Sequence, residues 1–167
     1  MSLDHRYLRI YLNDHLAGAA AGIALARRTL GSNPDPPLGP FLQGLVADFR
    51  VDKRLLESLI ASHGLPRGRL KQVGAVAAER LGRGKLNGAL SGYSPLSRLV
   101  ELEGLRAAIA TKHALWQTLM ALPDLSPRPD AVEAALNRAE AQLEQLEPLR
   151  LRAAEVAFVT EAQQFSE

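Results

Sequence analysis

Residues 8–30, LRIYLNDHLAGAAAGIALARRTL, place Leu8, Leu12, Ala19, Ile23, Ala26 and Leu30 at three- and four-residue steps. That spacing is the repeat of one face of an α-helix, which the pattern carries back to residue 4 and Gly31 closes. The following segment, GSNPDPPLGP at 31–40, is dominated by proline and glycine and reads as a connector. A second helix is expected from about Pro40 to His63, with Phe41, Leu42, Leu45, Val46, Phe49, Leu56, Leu59 and Ile60 as its apolar stripe. Gly64 stops it, with Pro66 two residues on.

Between Leu65 and Ser94 the periodicity weakens. A short helix is expected over Arg69–Leu81, followed by a stretch spaced by Gly82, Gly84, Gly88 and Gly92. Ser94 before Pro95 is a restart signal, a capping hydroxyl followed by a proline at the first helical position. The third long helix then runs to about Leu122. PDLSPRPD at 123–130 is a second proline-rich break, with Asp130 as the expected cap of a last helix reaching about Phe165 and kinked at Pro148.

The connections therefore run short, long, short. A short link makes an antiparallel hairpin, whereas a long one can travel back along a bundle and start the third helix parallel to the second. The expected fold is all-α: a four-helix bundle over residues 1–167 as one domain, with a long crossover containing a short helix between helices 2 and 3. A plain up-down-up-down bundle is the structural alternative.

Composition agrees. The chain has 167 residues, 47% of them hydrophobic but only 5% aromatic, so its core is built from Leu and Ala on good helix formers. With no cysteine, disulfides, thiolate zinc sites and cysteine nucleophiles are eliminated. A formal net charge of +2 does not call for nucleic acid. The N-terminal MSLDHRYLRIYLNDH mixes charge into its apolar residues and does not read as a signal peptide. The longest uncharged apolar stretch, Leu16 to Ala26, is about half the roughly 20 residues a bilayer requires. A cytoplasmic protein without a membrane partner is the expectation.

Several polar residues fall on or beside the apolar stripes. His15, with Asp14 beside it, projects inward on the first helix; Asp52 occupies an apolar position on the second, with Asp48 one turn earlier. On the third helix the series Leu99, Leu102, Ile109, Trp116 and Met120 also takes in Arg106 and His113, with Glu103 adjacent. These residues are expected to meet as a polar layer, in which Arg106 pairs with Asp52, because an inward carboxylate needs a partner. Gly18 and Gly22 are expected to let another helix approach closely. Arg67, Arg69, Lys71, Arg80, Arg83 and Lys85 form a basic patch read as solvated surface, and Glu140, Glu144 and Glu147 an acidic face on the last helix. No phosphate-binding glycine loop, Gly-x-Ser-x-Gly elbow or His-Glu-x-x-His pair occurs.

In helix number, helix length and placement of the crossover, the chain resembles the ferritin-like superfamily. Segments such as YLNDHLAGAAAG (11–22) and KLNGALSGYSPLSRLVELEGL (85–105) are similar to those of bacterial ferritin-like bundles of unknown function. The resemblance implies the bundle topology. The di-metal members of that superfamily carry Glu-x-x-His on two helices, and here no acidic residue has a His three positions later. Glu57 is followed by Ile60, Glu103 by Arg106, Glu155 by Phe158 and Glu161 by Gln164. The functional expectation is a non-enzymatic bundle acting through protein contacts, as a homo-oligomer and most simply a dimer, without cofactor or metal. The alternative is a metal-binding or redox protein with an atypical carboxylate and His site.

Overall fold

The computed structural model describes residues 3–66 and 92–159. Among them there are four α-helices, one 3-10 turn and no strand. Helix α1 spans His5–Ser32. The Asp4 side chain starts it by accepting from the backbone N–H groups of Arg6 and Tyr7, and Asn33 rather than Gly31 ends it. Helix α2 covers Leu38–Ser62, beginning two residues before the expected start. Helix α3, Pro95–Ala121, has the expected Ser94 cap, whose hydroxyl accepts from the Ser97 N–H. After a 3-10 turn at Pro123–Leu125, helix α4 runs over Pro129–Phe158, continuous through Pro148. Asp130 lies in its first turn, where a carboxylate favours the helix dipole, but Arg128 holds the cap position without a side-chain bond. The expected extension to Phe165, the helix over Arg69–Leu81 and the basic patch of Arg67, Arg69, Lys71, Arg80, Arg83 and Lys85 all lie outside the described residues.

The helices pack as a bundle: α1 against α2, α3 against α4, α1 against α3 and α2 against α4. Cross-helix contacts give the sense of three of these pairs. Arg28 meets Glu101 and Leu25 lies against Gly104, so α1 and α3 are antiparallel. Arg138 reaches Asp52 and Gln142 reaches Asp48, so α2 and α4 are antiparallel too. Arg106 with Glu147 and His113 with Glu140 show the same for α3 and α4.

The core is Leu-rich, with Leu12, Leu42, Leu59, Leu102, Ile109 and Trp116 fully enclosed. On α1, Leu16 and Leu25 are buried, whereas the expected Ala19 and Ile23 are only partly so. On α3 the expected Leu99, Leu102, Ile109 and Trp116 are buried, but the rest of the inward face is turned by one residue from the expected series. Leu105, Leu115 and Leu119 are buried, while Arg106 and Met120 face outward. Gly22 and Gly104 permit the close approach of α1 to its neighbours. A Cβ at Gly22 would lie 3.2 Å from the Phe49 ring, and one at Gly104 3.0 Å from a Leu25 methyl. Among the described residues no helix is long and apolar enough to cross a membrane.

Candidate functional site

Asp52 projects from the middle of α2 into the bundle and is 4% exposed. A carboxylate there requires compensation, and two cations supply it from two other helices. Lys112 of α3 donates to Oδ2 at 2.5 Å, and Arg138 of α4 to Oδ1 through Nη2 at 2.7 Å and Nε at 3.1 Å. One turn earlier, Asp48 accepts from Gln142 Nε2 at 2.8 Å, while Gln142 Oε1 has no partner among the described residues. The Lys112 ammonium also lies 4.6 Å from the centroid of the Phe49 ring. Burial pushes the Lys112 amine below its usual range; Asp52 opposes that shift only in part, because the Arg138 guanidinium adds a like charge nearby.

Lys112 and Asp52 border a cavity of about 510 Å³ between α1, α2 and α3. Its buried lining is Leu25, Phe49, Leu56, Leu115 and Trp116, and its flanks are small residues, among them Gly18, Ala21, Ala107 and Ala108. Asp14, exposed, and His15, half-buried, belong to the same lining. The His15 ring stands edge-on to Tyr11 at 4.6 Å, and burial lowers its pKa against the raising effect of Asp14. Trp116 is 1% exposed, and its Nε1 has no acceptor among the described residues. A Cβ at Gly18 would meet nothing, so that glycine faces open space instead of serving close packing.

The expected single polar layer is thus divided. Asp14, His15 and Asp52 surround the cavity, with Asp48 beside Gln142 one turn away. Glu103, Arg106 and His113 belong to the opposite, α3/α4 side. Arg106 does not pair with Asp52: its side chain is 55% exposed and bonds Glu147 at 3.2 Å. His113 meets Glu140 at 3.2 Å, and Glu103 lies 3.8 Å from Arg150. Arg150 also binds Glu147 at 2.6 Å, which lowers the carboxyl pKa and raises that of the guanidinium. The acidic series of α4 is therefore partly engaged within the chain, with Glu144 exposed.

The residues that do neutralise Asp52 carry a signal in the sequence. Lys112 continues the buried series Leu102, Leu105, Ile109, and Arg138 adjoins Ala135, Ala139 and Gln142 on α4. A second buried acid, Glu101, accepts from Arg28 and from the Tyr93 hydroxyl, and Tyr93 in turn accepts from Asn33, which Arg98 also binds. This network ties the end of α1 to the start of α3. Burial, together with the Glu101 carboxylate, pushes the Tyr93 phenol up to about 12.

Among the described residues no three His, Asp or Glu side chains come together as a set of metal ligands. Chemically, the arrangement is an apolar cavity with one ammonium in its wall and a balanced set of buried charges beside it. No family model, curated protein or solved structure matches the chain.

Proposed function

We propose that the chain is a non-enzymatic four-helix bundle of ferritin-like topology that acts through protein contacts, in the first place with a second copy of itself, in the cytoplasm. The topology is supported by the helix directions. Because α2 and α3 are each antiparallel to α4, they run the same way, so that residues 66 and 92 belong to opposite ends of the bundle, as a crossover connection requires.

The observation that carries the contact reading is the end of α4 and its C-cap, where Leu151, Val156, Phe158 and Val159 are between 49% and 68% exposed. Leu151 and Phe158, seven residues apart, share one face of the helix, and large apolar side chains exposed together support a site of association there. Arg152 and Glu155, both exposed, are interleaved with them. A two-fold axis through this segment would set each charge opposite its counterpart, the self-complementarity that an isologous dimer needs. Sedimentation velocity of the full chain at micromolar concentration tests this reading. A dimer converted to monomer by Phe158→Asp, with helicity unchanged, is the expected result. A monomeric wild type, or a variant that still dimerises, refutes it.

A further inference from the structure

The cavity between α1, α2 and α3 is separate from the exposed end of α4 and has its own chemistry. Two features distinguish it from a packing defect. Gly18 lies in the middle of a helix, where glycine is less stable than alanine by roughly 0.5–1 kcal/mol, and nothing would touch a side chain there. Keeping that position bare keeps the cavity open. The second feature is Lys112, which uses one of its three N–H groups on Asp52 and has no other hydrogen-bond acceptor among the described residues. The ammonium that carries its remaining donors belongs to the wall of an apolar space.

The charges around the space restrict what enters it. Lys112 and Arg138 are balanced by Asp52 and Asp48, and Asp14 adds a further negative charge at the lining. An anion would upset the first balance and face Asp14; a cation would face Lys112. Size restricts the occupant as well. An apolar cavity of roughly 150 Å³ accepts benzene, so a partly open space of about 510 Å³ accepts a molecule on the order of 10–15 non-hydrogen atoms.

We infer that this cavity binds a small, uncharged, predominantly apolar molecule carrying one hydrogen-bond acceptor, with its chain along the flanks of Gly18, Ala21, Ala107 and Ala108, over a floor of Leu25 and Phe49, and its acceptor on the Lys112 ammonium. The occupant is of the ketone, ester or alcohol class. The bond to a charged donor supplies the selectivity over a plain hydrocarbon.

Trp116 is the only tryptophan in the chain and lines the cavity, so in the folded protein its emission responds to an occupant there. The full-length protein is titrated separately with 2-octanone, octane and octanoate. The expected result is a saturable change in emission with 2-octanone, and affinity weaker by about tenfold or more for octane, the loss that one charge-assisted hydrogen bond implies, and weaker also for octanoate, whose charge upsets the balance and faces Asp14. Gly18→Phe, whose side chain enters open space, should keep the helical signal and thermal transition while abolishing the response. Lys112→Met should equalise 2-octanone and octane. No saturable response from folded wild type, tighter binding of octanoate than of 2-octanone, or unaltered binding by folded Gly18→Phe would each overturn the inference. Gly18→Phe decides the matter even where Lys112→Met does not fold.

Discussion

Replacing Asp52 by Asn removes the anion between Lys112 and Arg138 while keeping the side-chain volume. Both cations then face each other with Asp48, already bound to Gln142, as the nearest carboxylate. Removing one member of a buried ion pair commonly costs about 3–5 kcal/mol, because the remaining charge is stranded. An upper bound follows from Lys112 itself. It can escape by releasing its proton, which from an ordinary pKa of 10.5 costs about 5 kcal/mol at neutral pH. Burial already lowers that pKa, so the escape is cheaper, and Arg138 is partly hydrated. We therefore expect about 3 kcal/mol of destabilisation, read as a lower urea midpoint followed by circular dichroism and Trp116 fluorescence together. Adding Lys112→Met, which removes the stranded ammonium and retains an apolar stem of similar size, should recover about 2 kcal/mol. The sign with pH is also determined. In Asp52→Asn the folded lysine pKa falls further below 10.5, so the unfolded chain binds more protons between the two values. Stability should then rise with pH across that window more steeply than in the wild type. A loss under about 1 kcal/mol, or a double variant no more stable than Asp52→Asn, would refute the argument that Asp52 holds two otherwise uncompensated cations.

Arg106→Ala should leave the urea midpoint within experimental scatter, since its pair with Glu147 is exposed; a clear loss would show that the α3/α4 surface pairs matter more than their hydration allows. His15 has a folded pKa below 6.5, so the unfolded state binds more protons as pH falls through that window, and stability should drop there. His15→Gln should flatten the drop, and an unchanged acid profile would count against the burial of this ring. Gly18→Ala should stabilise by roughly 0.5–1 kcal/mol, because a Cβ there meets nothing, and thermal unfolding measures the gain. Gly39→Ala should instead destabilise, by about 2 kcal/mol or more, because its Cβ would lie 1.9 Å from the Pro34 carbonyl oxygen and backbone must move; equal melting temperatures for the two variants would refute the packing account.

Local chemistry was legible in the chain. Apolar spacing located the four long helices, Ser94–Pro95 marked one start to the residue, and the proline-rich segments marked two breaks, because these signals act within a few residues of where they are written. The inward position of Asp52 was legible for the same reason: it interrupts a single well-defined stripe on α2. Its partners were not. On α3 the series through Arg106 and His113 and the series through Leu105 and Lys112 share Leu102, Ile109 and Trp116, so periodicity along one helix cannot choose between them. A helix of 3.6 residues per turn drifts against any seven-residue repeat, and a one-residue rotation exchanges Arg106 for Leu105 and His113 for Lys112 on the inward side. That rotation is decided by what α3 packs against: the Gly22 and Leu25 side of α1, the carboxylate of α2 and the small residues of α4. Sequence by itself thus determined that helices form, roughly where they end, and that one carries an acid inside. Only tertiary structure decided which cations neutralise it and that an open cavity lies beside them, because both depend on distances between helices that no single helix encodes.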